Sequence, residues 1–182
     1  MLHPTLIVTG GLPGSGKTTI SKGIARKFAI PLFSMDRVEA NFSISNLPKE
    51  SIRCAAYKVV AALAEDTIRL GGCSVVIDAV NPIDKNRVDW KQLSVKLNCR
   101  FVFIEVACSD LVELHRRIET RNTDCPEAQV CWERLMVQKK KYGVRENPDL
   151  FIDTTCDTYE ESIANIVSYI QGFKNESVQS SP

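Results

Sequence analysis

Short apolar runs and helical stripes alternate along the whole chain. Thr5 to Thr9 (T-L-I-V-T) is a continuous β-rich run, as expected of a strand buried on both faces of a parallel sheet. A glycine-rich turn separates it from Lys17 to Phe28, which has a helical pattern. Pro31 to Met35 reads as a short second strand. From Pro48 to Leu70, apolar residues such as Ile52, Ala56, Val60 and Leu63 recur at helical spacing. Gly71 and Gly72 end that helix, because glycine accepts a left-handed C-cap. Cys73 to Ala79 predicts a third strand and Asp84 to Leu97 a helix. Arg100 to Ala107 is a fourth strand. The next helix, capped by Ser109 or Asp110, runs to about Arg121. A polar break at Asn122 to Pro126 precedes a charged helix over about Glu127 to Tyr142. Leu150 to Thr154 is a fifth strand. A last helix carries Tyr159, Ile163, Ile166, Val167, Ile170 and Phe173 on one face, and the polar tail from Asn175 is expected to fray.

Strands alternating with helices imply a parallel sheet covered on both faces. The 182 residues suit one domain, expected over 1–174, with a tail over 175–182. In such sheets the ligand lies at the carboxyl ends of the strands, so the residues just after each strand carry the chemistry.

After the first strand comes Gly11-Leu12-Pro13-Gly14-Ser15-Gly16-Lys17-Thr18-Thr19, which satisfies G-x-x-x-x-G-K-[ST] at every fixed position. Glycines let successive backbone N–H groups curl around a phosphate, and the following helix points its positive end at it. Lys17 can reach the β- and γ-phosphates, and the Thr18 hydroxyl can hold Mg²⁺. The expected nucleotide is ATP. The nearest approach to a guanine-reading N-K-x-D, Asn81-Pro82-Ile83-Asp84, lacks the lysine and follows the wrong strand.

Three further positions fall at the same sheet edge. Asp36 follows the second strand, where a carboxylate is either a general base for an attacking hydroxyl or a helix N-cap. Asp78 ends V-V-I-D, the form of an acid that orients Mg²⁺. Asn81, three residues on, is placed to contact substrate. Arg117 and Arg121 are one helical turn apart, a spacing that would aim a cationic pair over transferring phosphate. The break and charged helix beyond them, with Lys139, Lys140 and Lys141, suggest a lid over about 121–145 that excludes water.

Charge and cysteines narrow the partners. Lys and Arg total 23 against 22 Asp and Glu, a net charge of +1, which argues against a broad nucleic-acid coat but not a local basic cleft. The seven cysteines contain no C-x-x-C pair, and the two histidines stand at no zinc-like spacing from them. They read as reduced thiols in a cytoplasmic protein. No apolar run approaches the ~20 residues of a membrane span.

G-L-P-G-S-G-K-T-T, the acid in S-M-D-R, V-I-D-A-V-N and Arg117-x-x-x-Arg121 together resemble the polynucleotide-kinase-like branch of P-loop kinases, the AAA-domain predicted kinases. That branch includes polynucleotide 5′-hydroxyl kinases, zeta-toxin-like kinases and chloramphenicol phosphotransferase-like enzymes. The resemblance runs from about Thr5 to Ile170. It implies a P-loop NTPase three-layer sandwich with a five-stranded parallel sheet in the order 2-3-1-4-5 and a helical lid. It also implies ATP, Mg²⁺, Asp36 as base and Arg121 at the lid. Polynucleotide kinases carry an arginine three residues after the base, whereas this chain has Glu39 there. The expectation is therefore an ATP-dependent kinase acting on a hydroxyl of a small molecule. A polynucleotide 5′-hydroxyl kinase and a non-catalytic nucleotide-binding regulator stand as alternatives.

Overall fold

The computed structural model describes residues 3–42, 47–124, 130–142 and 148–176. Five strands form one parallel sheet: β1 (Thr5–Gly10), β2 (Leu32–Ser34), β3 (Val75–Asp78), β4 (Arg100–Ala107) and β5 (Leu150–Asp153). Their spatial order is β2-β3-β1-β4-β5, the order expected from the resemblance. The strands are short and rich in β-branched residues, and β1 and β3 are buried along their full length.

Alternate side chains divide the core into two layers. Leu6, Val8, Val75, Ile77 and Phe103 face α3 (Lys49–Gly71) and α4 (Asp84–Lys96). There Ala56 and Ala64 of α3 are fully buried, and such small side chains let a helix lie close to the sheet. On the other face Ile7, Val76, Val102, Ile104 and Ile152 pack with Ile20 and Ile24 of α1 (Lys17–Phe28) and with Ile166 and Ile170 of α7 (Tyr159–Glu176). A third cluster joins α5 (Leu111–Asp124) to α6 (Trp132–Tyr142) through Leu114, Ile118 and Leu135, with Leu12 packed against it.

The register aligns the functional edge. Thr9 pairs with Asp78 and with Ile104, and Ser34 pairs with the same Asp78, so the ends of three strands open onto one ledge.

Several local expectations change. Met35 is not a strand residue, because the chain turns at once into a further helix, α2 (Met35–Phe42), with Asp36 in its first turn. Of the two cap candidates, Asp110 acts: its Oδ1 accepts the Val112 and Glu113 amides at 2.8 and 3.3 Å. α5 continues through the start of the expected break to Asp124. The charged helix begins at Trp132 among the described residues, and positions 125–129 lie outside them. α7 reaches Glu176, beyond the expected domain end, and the tail over 177–182 lies outside the described residues.

Candidate active site

The loop between β1 and α1 is shaped by three glycines with positive φ. Gly11, Gly14 and Gly16 have φ of 146°, 83° and 90°. At Gly11 an added Cβ would lie 2.2 Å from the Val106 carbonyl oxygen, so the loop lies directly on β4. Gly16 is the N-cap of α1 and supplies no side-chain cap. The first amides of α1 are thus left to an outside acceptor, and the helix dipole favours an anion there.

The side chains that follow converge. Lys17 is 4% exposed, so its chain is fixed along its length. Its Nζ lies 3.8 Å from Asp36 Oδ2. Arg121, from α5, approaches the same oxygen at 3.9 Å. The side chain of Asp36 remains 42% exposed, so an acceptor can reach it. Thr18 donates to Asp78 Oδ2 at 2.8 Å, and Ser34 to the same atom at 3.4 Å. Burial pushes the Asp78 carboxyl above the ordinary carboxylate range, against the pull of Lys17 and the Thr18 hydroxyl. Asp78 Oδ1 is buried with no hydrogen-bond partner among the described residues. An orphaned carboxylate oxygen beside a hydroxyl is the hard-oxygen donor set that suits Mg²⁺, so these residues fit the ion that the fold implies.

Arg117 and Arg121 reach different partners. Arg117 turns away from Asp36 toward the end of β5. It donates to Thr154 Oγ1 at 2.7 Å, to the Thr154 carbonyl at 3.2 Å and to the Gly14 carbonyl at 3.5 Å. Its Nε donates to Glu113 at 2.8 Å. Hydrogen bonds from Arg116 and Arg117 hold the Glu113 carboxyl down to about 2.

Thr154 is a site residue that carries no sequence motif. Its hydroxyl lies 2.9 Å from the Ser15 carbonyl and 3.1 Å from the Ala107 carbonyl and donates to one of them at a time. Beside it a cavity of about 400 Å³ opens off Gly16 and Thr19, lined also by Arg117, Asp157 and Ser162.

Asn81 is a correction. It is fully buried in a left-handed conformation, φ 47°, and its amide is consumed internally. Nδ2 donates to the Thr9 carbonyl at 2.9 Å. Oδ1 accepts from Tyr57 Oη and Trp90 Nε1, each at 3.1 Å. It holds the ledge together and does not face a substrate. Tyr142, at the end of α6, donates to the Val80 carbonyl at 3.1 Å, which ties that helix to the same ledge.

A phosphate-binding loop, buried lysine and strand-end acid on a 2-3-1-4-5 sheet define a P-loop nucleotide-binding protein of the kinase fold. The chain belongs to the AAA domain family, which it matches over residues 6–144. Solved structures with the same fold include a gluconokinase from Sinorhizobium meliloti, at 17% identity and TM-score 0.71, covering 98% of this chain and 99% of that one. The Mycobacterium tuberculosis APS kinase CysC in complex with AMPPNP and APS has 14% identity and TM-score 0.69, with coverage of 93% and 98%. Chaetomium thermophilum Kti12 in complex with ADP-AlF3 has 18% identity and TM-score 0.66, with coverage of 91% and 98%. Among the described residues, no helix is long and apolar enough to cross a membrane.

Proposed function

We propose that the protein is an ATP-dependent phosphotransferase that moves the γ-phosphate of ATP to a hydroxyl of a small-molecule acceptor. The observation that carries this reading is the position of Asp36, an accessible carboxylate 3.8 Å from the buried lysine of the phosphate loop. A protein that only bound nucleotide would gain nothing from a carboxylate there, since it repels phosphate. A kinase needs it as a general base for the incoming hydroxyl.

In this reading the amides from Gly11 to Thr19, including those of Leu12, Gly14, Ser15 and Gly16, cradle the triphosphate. Lys17 neutralises its outer phosphates. The cavity bordered by Arg117, Asp157 and Ser162 takes the base and sugar. Thr18 and Asp78 hold Mg²⁺, which when bound supplies charge neutralisation between the outer phosphates. Arg121 balances charge on the moving phosphoryl group, and Asp36 takes the acceptor proton. Arg117 acts here by bracing the loop, a role different from the catalytic one its spacing suggested. The end of α5 and α6 close over the site and exclude water as a competing acceptor, while 125–129 and 143–145 of the expected lid over 121–145 lie outside the described residues.

The test is acceptor-dependent ADP release by wild type and Asp36→Ala across a panel of hydroxyl compounds, with ATP binding measured alongside. Asp36→Ala should retain binding and lose on the order of 10²- to 10⁴-fold in turnover. Unchanged turnover in Asp36→Ala would remove the base assignment. Tight binding with no acceptor-dependent turnover in wild type would favour a non-catalytic nucleotide binder.

A further inference from the structure

The cavity of about 400 Å³ beside the phosphate loop runs from Gly16 and Thr19 to the turn that joins β5 to α7. Its volume falls in the range of pockets for small organic ligands. The turn is held in place by bonds of its own. Thr158 N and Oγ1 donate to Glu161 Oε2 at 2.9 and 2.7 Å, and the Glu161 amide donates to Thr158 Oγ1 at 3.2 Å, a reciprocal cap on the start of α7. The Asp157 amide donates to the Asp153 carbonyl at 2.9 Å. The cavity wall is therefore formed before a ligand arrives.

Two polar side chains of that wall are left over. Ser162 is 1% exposed, and its Oγ is buried without a hydrogen-bond partner among the described residues. A helical serine can return its hydroxyl to the carbonyl four residues back, as Ser21 does to Lys17 at 2.8 Å. Ser162 does not, although its own amide donates to the Thr158 carbonyl at 3.0 Å. The half-buried carboxylate of Asp157 likewise has no ion pair or hydrogen bond among the described residues. Arg117, which lines the same cavity, is engaged by Glu113 and Thr154. Burying a hydroxyl without a partner costs stability, and a carboxylate beside the path of a polyphosphate repels it. A ligand that offers one acceptor and one donor at this wall offsets both.

We infer that Asp157 and Ser162 select the base of the bound nucleotide, and that the base they select is a 6-aminopurine. Asp157 accepts a hydrogen bond from the exocyclic amino group, and Ser162 Oγ donates to the ring nitrogen beside it. The inference rests on the reading that this cavity takes base and sugar. A carboxylate can only accept and a hydroxyl can donate, so the pair fits an edge on which an amino group adjoins a lone pair. A 6-oxo purine sets its oxygen against the carboxylate, acceptor against acceptor, and is turned away.

The experiment measures binding of ATP, ITP, GTP and dATP, each with Mg²⁺, to the full chain by calorimetry, with thermal melts of each protein alone. Wild type should bind ATP at least about tenfold more tightly than ITP or GTP, the effect of one hydrogen bond to a charged group. In Asp157→Asn the amide can turn its N–H toward a 6-oxo group. The preference should then shrink to about threefold or less, while the ratio of ATP to dATP stays as in wild type. ITP or GTP bound as tightly as ATP by wild type, or a preference that survives Asp157→Asn, overturns the assignment. So does a change confined to dATP, which would put the carboxylate on the sugar.

Ser162→Ala separates recognition from a structural role. Removal of an unpaired buried hydroxyl should leave the melting temperature of the nucleotide-free chain equal or higher and weaken ATP binding several-fold. A lower melting temperature, or unchanged ATP affinity, overturns the role of Ser162. If ATP binds with no dependence on either residue, this inference fails and the nucleotide reading of the site stands. If none of the nucleotides binds, the nucleotide reading fails and the inference with it.

Discussion

Lys17 and Asp36 face each other at 3.8 Å across the mouth of the phosphate site, one from α1 and the other from α2. Arg121 shares the same carboxylate oxygen at 3.9 Å. Without nucleotide, two cations that would serve phosphate are balanced by the group that would serve the acceptor. Removing Asp36 releases both of them. Asp36→Ala should bind ATP a few-fold more tightly than wild type, by the ~0.5–1 kcal/mol typical of a partly exposed ion pair. Titration with a fluorescent ATP analogue checks this, and weaker binding in the variant would contradict the pairing.

Arg121 and Arg117 should separate kinetically. Arg121→Ala leaves nucleotide affinity within a few-fold of wild type and lowers kcat by about 10²- to 10³-fold, as for loss of one donor to developing charge. Arg117→Ala strips hydrogen bonds from Thr154 and Gly14, so it raises KM for ATP and costs about 1–3 kcal/mol of stability. Steady-state kinetics with denaturant melts of both variants make the comparison. Equal effects from the two changes would show that they act as one unit.

The pH dependence of the Arg117 brace has a defined sign. The Glu113 carboxyl is lowered in the folded chain, so its contribution is present above its ordinary value of 4.5 and is lost as pH falls toward about 2. Glu113→Gln should remove that slope from an acid titration of stability. Asp78 has the opposite sense. Its carboxyl is raised by burial, so stability is greatest below its unfolded value and falls as pH rises through the folded one. Asp78→Asn should therefore melt higher than wild type at neutral pH without nucleotide, and lose Mg²⁺-dependent ATP binding. A lower melting temperature for Asp78→Asn would refute the burial argument.

Gly11→Ala tests the contact between loop and sheet. Its φ of 146° and the 2.2 Å approach of a Cβ to Val106 O leave no relaxed position for the methyl group. Strained backbone costs about 1–3 kcal/mol before any clash. The expected melting temperature falls by at least ~2–4 °C per kcal/mol for a chain of this size, with ATP binding lost. Binding retained at wild-type affinity would mean that the loop shifts freely on β4.

Much of this was visible in the sequence because it depends on local pattern. The loop from Gly11 to Thr19, the acid ending V-V-I-D and the alternation of strands need no knowledge of packing. α2 was not visible: only Leu32–Ser34 pair in the sheet, and the eight residues after them turn helical too abruptly for periodicity to register. Asn81 lies at the edge the topology predicts, but its partners come from β1, α3 and α4, and no local signal announces a buried amide network. Helical spacing put Arg117 and Arg121 on one face correctly. It could not show that one turn of α5 separates an arginine that meets Thr154 from one that meets Asp36. Thr154 itself is an ordinary threonine after a short strand, made important by what lies across from it.

That threonine has a mechanical consequence. One hydroxyl lies within reach of the Ser15 carbonyl, the Ala107 carbonyl and the Arg117 guanidinium. The loop after β1, the strand beneath it and α5 are thereby geared through a single oxygen atom. Movement of the loop as it fills must be passed to α5 or break that link. Serine keeps the gear at this position, while valine, with the same shape and no hydroxyl, lets the loop and α5 turn independently.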